Sequence, residues 1–180
     1  MSKPPEYLLG MEASEVRRLE RQHTTWREDT RKIWDLAAFG PGQTLIDLGS
    51  GPGFTSLDLS RLVGKSGRVI AVDSSVTAAN ELRMAAERNG VSNIEIVTTD
   101  VQDFDPSPWN PDGIFARWIF CFLRNPETVI EHLAPRLQPG ATMAVIDYWN
   151  YRAVRTEPGS PLFTKIFGAV YDSFADSGGS

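Results

Sequence analysis

Cysteine is almost missing. Cys121 stands alone among 180 residues, so no intrachain disulfide can form, and a reducing cytoplasm is the expected home. Two histidines, His23 and His132, beside a single cysteine also fall short of the ligand set of a structural zinc site. Long apolar runs are lacking as well: none approaches the ~20 residues that span a bilayer, and the opening MSKPPEYLLG has no leader-like apolar stretch. No membrane partner is therefore expected. An excess of positive charge is absent too. A net charge of −5 argues against bulk attraction to nucleic acid or anionic lipid. Basic residues do gather between 17 and 32, but Glu15, Glu20, Glu28 and Asp29 interleave with them, which reads as a solvated helix face. No internal repeat or low-complexity tract is visible. What is present is an ordinary globular composition, 41% hydrophobic and 23% charged, in a chain long enough to bury one core.

Residues 12–38 read as a helix, with Val16, Leu19, His23, Trp26, Thr30, Ile33 and Ala37 in one stripe at three- and four-residue spacings. A break is expected near Thr24–Asp29, where β-branched and cap-forming residues weaken it, and Gly40-Pro41-Gly42 ends it. From residue 44 the pattern alternates. Strands are expected at 44–48, 68–73, 94–100, 114–120 and 142–149. Helices are expected near 54–63, from Ser74/Ser75 to Arg88, from Asn125-Pro126 with Pro135 shortening it, and over 161–176. The strands are nearly continuous apolar runs separated by helices, the pattern of a doubly wound, Rossmann-like parallel sheet in an α/β fold. Ligands of such sheets bind beyond the carboxyl ends of the strands, which gathers Asp47, Asp73, Asp100, Arg117 and Asp147 on one rim.

The stretch TLIDLGSGPGF (44–54) sets Gly49, Gly51 and Gly53 at every second position after Asp47, with Ser50 between the first two. Glycines there let the backbone turn sharply and approach a ligand without Cβ atoms in the way. A dinucleotide loop would be G-x-G-x-x-G, with its third glycine one residue later, and Asp47 suits a cationic ligand better than a diphosphate. A tight turn alone can also demand glycine. Weight comes from Asp73, 20 residues beyond Gly53 and placed to accept ribose hydroxyls, and from Asp100, where a carboxylate can take an adenine amino group.

With these motifs the chain resembles the class I S-adenosylmethionine-dependent methyltransferases over essentially its whole length. LIDLGSGPG is similar to the first motif of that family, VIAVDSS to its acidic second-strand motif and VTTDVQDF to its adenine-contacting motif. RLQPGATMAVIDYW resembles the turn and fifth strand, with Ala141 in place of a second glycine. The N-terminal YLLGMEASEVRRLERQ and the fourth-strand ARWIFCFLRNPETV look like the small-molecule enzymes of ubiquinone/menaquinone type. The resemblance implies S-adenosyl-L-methionine as cofactor. Asp47, Gly49, Ser50, Gly51 and Gly53 would hold its methionine part, Asp73 and Ser74 its ribose, Asp100 and Val101 its adenine. Tyr7 and Gln22 would fold over it, making 1–40 an N-terminal helical lid on a cofactor-binding domain, 41–180.

Arg117 is charged within the apolar IFARWIF, so it binds either the cofactor carboxylate or an acidic acceptor, or pairs with Asp47 or Asp147. His23 is a core histidine or a general base. Tyr148, with Trp149 and Tyr151, walls an acceptor pocket or packs on the last helix. Cys121 reads as a small buried hydrophobe. The expected activity is methyl transfer to a small-molecule acceptor, without nucleic acid. The alternatives are a non-catalytic S-adenosylmethionine-binding interaction module and a nicotinamide-dependent dehydrogenase, the latter with the wrong glycine spacing. The family's sheet normally has seven strands, and its closing hairpin is not visible after TMAVIDYW. That leaves 142–149 as an open edge and leads to the expectation of a C-terminally truncated domain or a homo-oligomer that covers the edge.

Overall fold

The computed structural model describes residues 13–148 and 153–176. Helix α1 runs Ala13–Leu36, followed by β1 (Thr44–Leu48), α2 (Phe54–Val63), β2 (Arg68–Asp73), α3 (Val76–Arg88) and β3 (Ile94–Thr98). Then come β4 (Gly113–Arg117), α4 (Pro126–Leu133), β5 (Thr142–Ile146) and α5 (Pro161–Asp176). The five strands pair in the order β3-β2-β1-β4-β5, all parallel. The order reverses between β1 and β4, which opens a crevice at their carboxyl ends.

Strand alternation divides the core. Ile46, Leu48, Ile70, Val72, Ile114 and Ala116 face α4 with Val129 and Leu133. Leu45, Val69 and Phe115 face the other way, against Trp34 of α1 and Leu59 and Val63 of α2. Ala71 packs with Leu57 and Leu82 on that second side. By the same two-residue period, Asp47, Asp73 and Arg117 belong to the second side. Because Trp34 and Phe39 share a cluster with Leu45, the end of α1 and the residues just after it share a core with the sheet.

Four element boundaries depart from the sequence reading. The expected break in α1 does not occur: the Thr24, Thr25 and Thr30 hydroxyls donate to the carbonyls of Glu20, Arg21 and Trp26 one turn back, which accommodates the β-branched residues within the helix. Strand β3 stops at Thr98, so Asp100 lies in a turn, its Oδ1 accepting from Gln102 N at 2.9 Å. Strand β4 stops at Arg117 because Trp118 takes a left-handed backbone, φ +56°. Strand β5 stops at Ile146, and Asp147 then turns its carboxylate onto Phe120 N at 2.7 Å and Cys121 N at 3.3 Å. Pro135 does end α4, which tightens into a single 3-10 turn over Ala134–Arg136. Among the described residues β5 pairs only with β4, and no helix is long and apolar enough to cross a membrane.

Candidate active site at the carboxyl ends of the strands

The glycine loop is fastened to its neighbour strand. Gly49 N and Ser50 N both donate to Val72 O, at 2.8 and 2.9 Å. Gly51 N donates to Asp73 Oδ2 at 2.7 Å, and Ser75 N donates to Asp73 Oδ1 at 2.8 Å. Asp73 thereby ties the loop to the start of α3, where the Ser75 hydroxyl caps Ala78 N. Burial pushes the Asp73 carboxyl above its ordinary range despite these two backbone donors.

The three glycines serve different ends. A Cβ on Gly53 would lie 2.1 Å from Leu82 Cδ1, and one on Gly49 would lie 2.9 Å from the Ile119 side chain. Both are closed in by packing. Gly51 has φ +53°, and a Cβ there would meet nothing within 4 Å. Its bare face opens onto free space above the loop.

Asp47 is only 2% exposed. Strand alternation turns it under α2, where Ser56 Oγ donates to Asp47 Oδ2 at 2.5 Å. Burial raises this carboxyl from 3.8 to about 6, against the opposing effects of the Ser56 hydroxyl and the nearby Arg117. Asp47 is therefore a buried carboxyl held by Ser56.

Arg117 leaves the same side of the sheet one strand over. Its Nη1 donates to Thr30 Oγ1 at 3.0 Å, and its Nη2 donates to Thr55 Oγ1 and to His23 Nδ1, each at 2.9 Å. The pairing with Asp47 or Asp147 raised by the sequence is not made. Both carboxylates are engaged elsewhere, Asp47 with Ser56 and Asp147 with the backbone after β4. A guanidinium can only donate, so His23 Nδ1 must present its lone pair and carry its proton on Nε2. That nitrogen is 3.3 Å from Asp58 Oδ2. Burial alone would raise the Asp58 carboxyl, but the hydrogen bonds from His23 and Arg27 outweigh it and hold the group well below the usual carboxylate range. Arg27 reaches both Asp58 oxygens at 2.6 Å, and Arg61 adds a contact at 2.8 Å. His23 is thus buried with both nitrogens engaged.

Next to Arg117 stands an aromatic group. The guanidinium carbon lies 4.6 Å from the Trp118 ring centroid. Trp118 stacks with Tyr148 at 6.4 Å and meets the edge of Trp26 at 6.1 Å. Gln22 Nε2 donates to the Tyr148 hydroxyl at 3.4 Å, which brings Gln22 to this wall. Ser74 is exposed beside Asp73, and Val101 is buried next to Asp100. Tyr7, Trp149 and Tyr151 lie outside the described residues. Burial and the neighbouring Asp147 push the Cys121 thiol far up, which leaves it unreactive. Thr30, Thr55, Asp58 and Trp118 were not singled out as site residues from sequence. The one available signal was Asp58 standing between the apolar Leu57 and Leu59.

A model of the methyltransferase domain matches residues 45–140. The chain belongs to the S-adenosylmethionine-dependent methyltransferase family. It is 34% identical over 113 residues to the 23S rRNA (uracil(1939)-C(5))-methyltransferase RlmD of Psychrobacter arcticus, covering 62% of this chain and 22% of that protein. It is 27% identical over 158 residues to the ubiquinone/menaquinone biosynthesis C-methyltransferase UbiE of Vibrio vulnificus, covering 85% of this chain and 54% of that one. Among solved structures, a SAM-dependent methyltransferase from Aquifex aeolicus superposes with a TM-score of 0.69 at 24% identity, over 91% of this chain and 88% of that one. Coclaurine N-methyltransferase gives 0.58 at 22% identity, over 64% and 33%. The fold is shared with both. The chain spans about half or less of the length of these curated relatives.

Proposed function

We propose that this domain binds S-adenosylmethionine over the glycine loop and transfers its methyl group to a small-molecule acceptor. The observation that carries this reading is the contrast among the glycines: two are closed in by packing, and Gly51, between Asp73 and the crevice, faces open space that a Cβ would enter. Each Asp73 oxygen accepts one backbone N–H, which leaves lone pairs for the two ribose hydroxyls. Ser74 stands exposed beside it. Asp100 and the Val101 backbone are assigned to the adenine. Asp47, behind the loop, supplies negative potential for the α-ammonium of the cofactor. Tyr7 and Gln22, on the N-terminal segment, are assigned as the cover.

When bound, S-adenosylmethionine supplies an electrophilic methyl group on a sulfonium. Transfer is an in-line displacement, so this chain contributes chiefly by alignment and by excluding water. The loop, tied to Val72 and Asp73, provides a seat that does not need to reorganise. A small acceptor fits the net charge of −5 and the aromatic wall beside the crevice better than a nucleic acid does. In a thermal-shift assay S-adenosylhomocysteine should raise the melting temperature and NAD should not. A shift with NAD alone would refute the reading.

A further inference from the structure

We propose that Arg117 with Trp118, Trp26 and Tyr148 forms the acceptor subsite, and that the acceptor is a planar aromatic molecule carrying an anionic group, of the arene carboxylate class. The proposal rests on the methyltransferase reading above. It concerns recognition of the acceptor.

The first ground is the charge of Arg117. Its three hydrogen-bond partners, Thr30, Thr55 and the neutral face of His23, are all uncharged. The nearest carboxylates act only through space: Asp47 is held by Ser56, and Asp58 is held by His23, Arg27 and Arg61. Burial lowers the guanidinium's affinity for its proton, so the site carries a desolvated cation with no direct counter-ion, an arrangement that an anionic ligand would complete. The three bonds use three of the five N–H groups, and Nε has no partner among the described residues. Trp34 Nε1 is the one buried side-chain nitrogen or oxygen left without a partner there. The Arg117 Nε–H therefore reaches solvent and is available to a ligand.

The second ground is shape. Trp118 holds a left-handed backbone, φ +56°, uncommon for a bulky residue and concentrated at functional sites. Its N–H donates to Ile146 O at 2.9 Å, and its ring neighbours both the Arg117 guanidinium and the Tyr148 ring. Trp26 and Tyr148 are 41% and 43% exposed, so both side chains of the wall keep part of their surface in contact with solvent. Flat apolar surface beside a guanidinium selects a flat apolar body with a negative substituent.

The third ground is position. Thr55, which holds Arg117, is the second residue after Gly53, and Ile119 packs against Gly49. The subsite therefore abuts the glycine loop, as an acceptor must.

The test is calorimetric titration of the full chain saturated with S-adenosylhomocysteine, using 2-naphthoate and its neutral isostere 2-naphthamide as probes. We expect naphthoate to bind about tenfold tighter than naphthamide, a difference that Arg117→Gln removes and Arg117→Lys partly keeps. Trp118→Ala should weaken both probes alike. Equal affinities on the unaltered chain, or no binding of either probe, overturn the proposal without any variant. Tighter binding of S-adenosylhomocysteine than of methylthioadenosine that Arg117→Gln abolishes would assign Arg117 to the cofactor carboxylate, which also overturns it. Failure of S-adenosylhomocysteine itself to bind the unaltered chain would instead defeat the methyltransferase reading.

Discussion

One added methyl group at Gly53 should cost mainly stability, and one at Gly51 mainly ligand affinity. At Gly53 the new Cβ would lie 2.1, 2.8 and 2.9 Å from Cδ1, Cγ and Cβ of Leu82. Leu82 is fully buried and has no room to swing away. Overpacking of this kind costs about 1–3 kcal/mol, and a left-handed backbone adds roughly 1–2 for a residue with a Cβ, so Gly53→Ala should lose about 2–5 kcal/mol. At Gly51 only the backbone contribution applies, about 1–2 kcal/mol, because the methyl enters open space. For a domain of this size each kcal/mol moves the melting temperature by roughly 2–4 °C. Gly53→Ala should therefore melt about 4–20 °C lower, and Gly51→Ala about 2–8 °C lower.

Ligand affinity should rank them the other way. The Gly51 methyl occupies space assigned to the cofactor, so calorimetry should show S-adenosylhomocysteine binding at least about tenfold weaker. Gly53→Ala, measured well below its melting point, should bind within about threefold of the unaltered chain, since its methyl points into Leu82 and away from the crevice. Urea unfolding and titration of both variants give the two quantities independently. Unaltered affinity in Gly51→Ala would show that the loop does not seat the cofactor. Unaltered stability in Gly53→Ala would remove the packing argument.

Three further outcomes are expected. The Asp47 carboxyl titrates at about 6 in the fold against 3.8 as its ordinary value, so the native state keeps a proton that the unfolded chain has released. The contribution of Asp47 to stability is therefore fully present below pH ~4 and is lost as pH rises through ~6, about 3 kcal/mol in all. Asp47→Asn should flatten that slope in urea melts between pH ~4 and ~8, and an unchanged slope would contradict the assignment. Asp73→Ala should weaken S-adenosylhomocysteine binding by about 1–3 kcal/mol through lost charge-assisted hydrogen bonds, and unchanged affinity by calorimetry would remove Asp73 from the ribose site. Finally, β5 is paired on one side only among the described residues and leaves Val145 40% exposed. A second copy should pair along that edge, and a strict monomer in light scattering at every concentration tested would refute it.

The parts of this site that were legible in the sequence are those whose determinants are local. Strands β1 and β2 and the loop between β1 and α2 follow from short apolar runs closed by Asp47 and Asp73 and from glycines at fixed spacing. The topology goes further, since it gathers Asp47, Asp73 and Arg117 on one rim, the carboxyl-end side of the sheet, before any coordinates are known. What it does not give is the cover on that side. His23, which receives Arg117, lies 94 residues away in the chain, and Thr55 and Asp58 come from a different helix. A charge in an apolar strand suggests an oppositely charged partner, and Asp47 and Asp147 were the nearest candidates at neighbouring strand ends. Each was already engaged by a donor that the sequence does not flag, Ser56 in the first turn of α2 and the backbone N–H groups of Phe120 and Cys121. The end of β4 was misplaced for the same reason. IFARWIF is apolar and aromatic throughout and reads as one strand to residue 120. The left-handed turn at Trp118 is set instead by its N–H bonding to Ile146 on β5 and by Asp147 gathering the next turn. Both departures meet at the junction of β4 and β5, where local preference for a longer strand gives way to contacts made across the sheet. The same junction holds the guanidinium and the aromatic wall, so the place where local reading fails is also the place where the chain's particular chemistry is concentrated.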